Sequence, residues 1–246
     1  MKLMKLSGNQ LKIIAAVAML IDHIGLIFFP SVAIFRIIGR LAFPAFAFMI
    51  SEGARYTKNK TRYFLSIFLL GIFCQAVYFF GGGLEPLNIL ITFSFSIIII
   101  YIMQGFKQKL FSDGVKKEEK AFWCIIFFLL VALVYYITIF VHVDYGFFGI
   151  MTPVAASLLD FQGIDAPEKY KRADTVTYRV LCLAIPIIIM IIRGFDDVRP
   201  FMIFAVPLLL LYSGKRGKTK LKYFFYVFYP LHLAMLEGIY ILTRIL

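Results

Sequence analysis

Apolar residues fall in long blocks along the chain. Runs of about 15–22 of them alternate with short polar segments that carry most of the lysines and arginines. A helix needs about 20 apolar residues to cross the hydrocarbon core of a bilayer. The blocks therefore predict an all-α, polytopic integral membrane helical bundle with nine spans. Their expected bounds are about 11–29, 33–50, 63–80, 87–105, 121–140, 146–161, 178–193, 199–213 and 223–243. The sixth and eighth are short, as expected of tilted, half-buried or re-entrant segments. A membrane β-barrel would instead show alternation in segments of about 10 residues, which is absent. Pro44, Pro153, Pro186, Pro207 and Pro230 fall inside spans, where neighbouring helices or water must take up the freed carbonyls.

Composition agrees with this pattern. The 246 residues are 61% hydrophobic, with a mean hydropathy of +0.87, far more apolar than a soluble domain. The whole chain, 1–246, reads as a single transmembrane domain. Twenty-one of the 26 basic residues lie before the first span or at its boundary (Lys12), or after the second, fourth, sixth and eighth. That group includes Arg55, Lys58, Lys107, Arg179, Lys215 and Arg216, while the intervening loops, such as Gly81 to Glu85 and His142 to Asp144, nearly lack lysine and arginine. The positive-inside rule then puts the N-terminus in the cytoplasm and the C-terminus outside. Basic inner loops account for the net charge of +12 without a nucleic acid, and would also meet a polyphosphate ligand arriving from the cytoplasm. Cys74, Cys124 and Cys182 lack the spacing of a disulfide framework or a metal site. The first apolar run has no small-residue cleavage site and is expected to remain as an uncleaved span.

Candidate chemistry starts with ionisable residues inside the spans. Asp22 and His23 sit in the first, where each costs several kcal/mol unless it faces protein or a wet cavity. Arg36 and Arg40, four residues apart in the second span, project from one helical face. Asp22 is the nearest carboxylate for them, either fixing two helices or shaping a cavity beside His23. Lys12 precedes His23 by 11 residues, three turns plus about 20°, so both share a face, about 16 Å apart. Asp22 points about 100° away. His232 in the last span is expected at similar depth, one turn above the carbonyl of Tyr226 that Pro230 frees. Arg193, Arg199 and Arg244 lie at outer ends, where they can snorkel.

Several stretches together resemble the TraX family. Leu11 to Ile14 and Met19 to Gly25 are similar to its opening motif, as is Arg36 to Pro44 continuing to Gly53. Asp144 to Gly149 resembles its mid-chain motif. Tyr212 with Gly214 to Gly217, then Lys222 to Leu233 including Tyr229-Pro230-Leu231-His232, resembles its closing block. The resemblance spans nearly the whole chain and implies a membrane acyltransferase; the family's named member acetylates the N-terminus of conjugative pilin. In the related acyltransferase-three branch, ten residues separate a basic residue from the histidine thought catalytic. Lys12 and His23 have that spacing, with lysine where arginine is usual.

Together the spans, the buried charges and the resemblance predict a multi-pass enzyme of a bacterial cytoplasmic membrane. It would move an acetyl group from acetyl-CoA to an amine or hydroxyl acceptor: a pilin-like peptide, an envelope glycan or a small molecule. Lys12, Arg55, Lys58, Lys215, Arg216 and Tyr229 form the expected donor-binding set. His23 would be the general base, Asp22 the partner of the arginines, and Arg36 or Arg40 an oxyanion stabiliser. His232 would hold the acceptor or relay the proton. No metal is expected. A proton-coupled exporter, or a non-catalytic envelope or conjugation assembly protein, is the alternative reading.

Overall fold

The computed structural model describes residues 5–80, 86–194, 197–218 and 221–245. The Gly81-to-Glu85 loop, Lys2 and Lys220 lie outside these, as do the side chains of Lys222 and Arg244. Regular structure among the described residues is helical, apart from isolated bridges between Leu6 and Tyr212 and between Leu87 and Val143.

Local sequence explains where the first helices begin and end. Helix α1, Gly8–Phe28, starts at a capping box in which the Ser7 and Gln10 side chains satisfy each other's backbone. It stops just before Pro30. Helices α2 (Ala33–Gly39) and α3 (Ala42–Tyr56) form the second apolar run, with a tight turn at Arg40 and Leu41 between them. Pro44 has no N–H for the carbonyl of Arg40, so the ladder cannot run through this point.

Next come α4 (Lys60–Phe80), α5 (Ile89–Phe111, capped by the Asn88 side chain) and α6 (Lys117–Phe140). The shorter α7 (Gly146–Ala156), α8 (Glu168–Ala173) and α9 (Val176–Ile192) follow. A 3-10 turn, Arg199–Phe204, leads into α10 (Ala205–Leu210), and α11 (Lys222–Ile245) is last.

Among the described residues, six helical segments are long and apolar enough to cross a membrane: α1, the α2–α3 run, α4, α5, α6 and most of α11. The other three expected spans are occupied by shorter apolar helices, Gly146–Ala156, Val176–Ile192 and Arg199–Leu210. The short helices pack inside: α7 lies against α9, α5 and α3, and Ile150, Val154, Leu183 and Ile187 have no exposed surface. Helix α6 touches only α5 and α7 among its closer partners and keeps a broad apolar outer face.

Arg179 and Arg55, both expected as loop cations, are held in ion pairs. Arg179 lies inside α9, is 2% exposed, and pairs with Glu52 of α3 at 2.5 Å. Arg55, in the last turn of α3, is clamped between Asp160 at 2.9 Å and Asp174 at 2.5 Å. Each would have been stranded in apolar surroundings without its carboxylate partner.

Candidate functional site

Asp22 receives both arginines of the second run. Arg36 Nη1 lies 2.7 Å from Oδ2, and Arg40 Nη2 3.4 Å from Oδ1. Two glycines let α1 and α2 come this close. A Cβ on Gly39 would fall 2.1 Å from Asp22 Oδ1, and one on Gly25 would fall 2.3 Å from the Phe35 Cβ. Arg40 also donates to the Tyr145 hydroxyl at 3.3 Å, tying the pair to the loop before α7. Burial pushes the neighbouring Asp144 carboxyl up to about 6, against the pull of Arg40.

On the next face of α1, His23 meets His232 of α11. Their rings stand edge to face with centroids 5.1 Å apart, and His232 Nε2 is 3.4 Å from His23 Nδ1. Each Nδ1 also lies 2.9 Å from the carbonyl one turn back, Met19 for His23 and Phe228 for His232. A carbonyl only accepts, so both Nδ1 atoms carry the proton and both Nε2 atoms carry the lone pair in the neutral rings. The His23 Nδ1–H is then shared between the Met19 carbonyl and His232 Nε2. His23 Nε2 is left as the basic nitrogen of the pair. Phe228 stacks on His232 at 5.0 Å, and Tyr229 meets it edge-on at 5.6 Å.

A cavity of 550 Å³ leads towards this pair from the end of the bundle that carries the start of α1. Its lining includes Gly8, Asn9, Lys12, Gly214 and Arg216 near the start of α1, and Met19, Phe228 and Tyr229 farther along α1 and α11. Met19 and Phe228 are the residues whose carbonyls hold the two histidines, so each histidine follows a lining residue by one helical turn. The backbone donors at the start of α1 are already used. Gly8 N–H bonds the Lys215 carbonyl, Asn9 N–H the Arg216 carbonyl, and Gln10 N–H the Ser7 hydroxyl. Positive charge in this part of the lining therefore comes from the Lys12 and Arg216 side chains.

Glu52 forms part of the cavity wall and is held on both sides. Tyr212 donates to it at 2.7 Å, and Arg179 pairs with it while also donating to Ser51 and to the Ala156 carbonyl. This buried network joins α3, α7 and α9 to the second residue after α10. Among the described residues, no group of three or more His, Cys, Asp or Glu side chains is placed to hold a metal ion.

Of the expected donor-binding residues, Lys12, Arg216 and Tyr229 line the cavity. Lys58 and Lys215 are exposed outside its lining, and Arg55 belongs to the clamp with Asp160 and Asp174. Lys12 and His23 do share a face, since Lys12 lies over the Phe225 ring and His23 over His232, both on α11. Sequence reasoning did not pick out Glu52, Tyr145, Tyr212 or Tyr226 as site residues. A carboxylate within an apolar run was a usable signal for Glu52; the tyrosines were marked only by lying in stretches that resemble the family's motifs.

The TraX family model, described as "TraX protein", matches residues 7–240, and the chain belongs to that family. The chain is 26% identical over 257 residues to a probable fimbrial assembly protein, FimC of serogroup H1, from Dichelobacter nodosus, covering 94% of each. It is 35% identical over 106 residues to an uncharacterised protein of Rickettsia prowazekii, covering 43% of this chain and 41% of that one. No solved structure matches it.

Proposed function

We propose that this TraX-family protein is a membrane-embedded acyltransferase. It takes the acyl group of a coenzyme A thioester at its basic end and passes it to an amine or hydroxyl acceptor; the family resemblance implies an acetyl group. In this reading the basic end is cytoplasmic, all nine apolar segments cross a bacterial cytoplasmic membrane, and the acceptor arrives from the outer face. One observation carries the reading: a cavity lined by Lys12 and Arg216 also reaches Met19, one turn before a histidine whose Nε2 carries a lone pair.

Lys12 and Arg216 would meet the phosphates of the donor, and the thioester arm would follow the wall of α1 and α11 towards Met19 and Phe228. His23 Nε2 takes the proton of the acceptor N–H or O–H as that atom attacks the thioester carbonyl carbon. The tetrahedral species collapses by breaking the C–S bond. The departing thiolate recovers the proton from the imidazolium, leaving neutral His23 and free thiol. His232 Nε2, accepting from His23 Nδ1–H, supports the positive charge that the ring carries between these steps. Arg40, held in place by Asp22, stabilises the developing oxyanion.

Purified protein in lipid nanodiscs tests this reading. Binding of acetyl-CoA and acceptor-dependent release of free thiol are expected; absence of both over a broad pH range would overturn it. A second reading, a non-catalytic assembly role, is favoured by the name of the Dichelobacter relative. It predicts that fibre assembly survives replacement of both histidines, whereas the enzymatic reading predicts loss of the acyl mark.

A further inference from the structure

Tyr145 precedes α7 in the left-handed backbone region, with φ of 59°. It is the only non-glycine residue with positive φ among the described residues. Such a conformation costs roughly 1–3 kcal/mol and persists only when its surroundings over-determine it. A helix start does not need it, since a serine or aspartate cap in extended conformation would serve.

The surroundings hold Tyr145 from several directions. Gly146 follows at the same φ, and Gly149 leaves the space where a Cβ would come 2.5 Å from that of Tyr145. Thr92 donates to the Asp144 carbonyl at 3.0 Å, and the Asp144 N–H bonds the Leu87 carbonyl at 2.9 Å. The ring stacks on Phe43 with centroids 3.9 Å apart. Together these contacts fix one group, the hydroxyl against Arg40.

That hydroxyl accepts from a guanidinium, so its own O–H remains to be given away. No acceptor takes it among the described residues. Hydrogen bonds in series polarise one another, so a phenol receiving from a cation is a stronger donor. Burial, the largest influence on its acidity, also keeps the phenol protonated. Through Arg40 the hydroxyl is joined to Asp22, the residue before His23, and Phe43, on which the ring stacks, stacks in turn on Phe93 of the cavity wall.

We propose that Tyr145 is a further catalytic residue, donating its hydroxyl proton in a hydrogen bond to the thioester carbonyl oxygen as that oxygen gains negative charge, with Arg40 behind it as the polarising cation. This assignment rests on the acyltransferase reading. The proton stays on the phenol throughout; the bond shortens as the oxyanion forms and relaxes as the C–S bond breaks.

Tyr145→Phe keeps the ring stack and removes only the donor. The expected result is a fall in kcat of about 10²–10³-fold, the usual effect of losing one oxyanion donor. KM for the acyl thioester and the melting temperature in detergent should change little. Replacing Tyr145 with 3-fluorotyrosine, which keeps the hydroxyl and makes it a stronger donor, should raise kcat. Unchanged kcat in the fluorinated protein, or near-normal kcat in Tyr145→Phe while His23→Ala is inactive, overturns the proposal alone. Full turnover in His23→Ala would instead overturn the acyltransferase reading beneath it.

Discussion

His23 Nδ1 and His232 Nε2, 209 residues apart in sequence, lie 3.4 Å apart between α1 and α11. In the acyltransferase reading the pair divides the work of one base. His23 keeps a free lone pair at Nε2, and His232 receives the opposite edge of the same ring. Removing the base itself is expected to cost about 10²–10⁴-fold in turnover. His232→Ala leaves the Met19 carbonyl to hold His23 alone, so a smaller loss, about 10- to 10²-fold, is expected. Single-turnover acyl transfer by the two variants would check this order; equal losses would show that His232 carries a separate step.

The approach of α1 to α2 depends on Gly39. Gly39→Ala would place a methyl group 2.1 Å from Asp22 Oδ1, so the helices must part and the Asp22–Arg36 and Asp22–Arg40 contacts must lengthen. Asp22→Asn, which removes the carboxylate that Arg36 and Arg40 share, should destabilise the protein by on the order of 2 kcal/mol. That is below the roughly 3–5 kcal/mol of a fully buried pair, because Arg36 is 22% exposed. A second change, Arg36→Gln, should restore part of the loss. Thermal unfolding of the single and double variants in one detergent measures the coupling.

Charge in the cavity lining is expected to set the affinity for a polyphosphate donor. Lys12→Ala and Arg216→Ala should each raise KM for acetyl-CoA by about 10-fold and weaken its salt dependence, since partly exposed charges are screened. Lys58→Ala should leave KM unchanged, because Lys58 is exposed outside the cavity lining. Steady-state kinetics at two ionic strengths separates the three.

Asp144 supplies a pH dependence with a defined sign. Its carboxyl ordinarily titrates near 3.8, and burial raises it to about 6 in the folded protein. Between those values the folded protein holds a proton that the unfolded chain has released. Its contribution to stability is therefore complete below 3.8, declines as pH rises to about 6, and is level above that. Melting temperatures of the protein and of Asp144→Asn, compared from about pH 4 to about pH 7, should show this decline only where the carboxyl is present.

Much of the framework was readable from hydropathy alone. The runs that form α1, α4, α5, α6 and α11 needed only length and apolar content. The contact of Asp22 with Arg36 and Arg40 was readable because a short connection forces the two runs together. The different directions of Asp22 and His23 followed from helical angle. Pairings across long separations were not readable. Arg179 looked like one more cation in a basic segment, yet its partner is Glu52, 127 positions earlier. Arg55 is likewise claimed by Asp160 and Asp174. The left-handed Tyr145 was hidden for a different reason, because backbone strain is imposed by tertiary contacts with Phe43, Thr92 and Gly149 rather than by local propensity.

The role of His23 as the base of an acyl transfer is tested most sharply with an isotope-labelled acetyl group. Its transfer from acetyl-CoA in proteoliposomes would be followed for His23→Ala and for the unaltered protein. His23→Ala is expected to bind acetyl-CoA within about 3-fold of normal but to transfer label at least about 10²-fold more slowly. Transfer by His23→Ala at the normal rate would contradict that role.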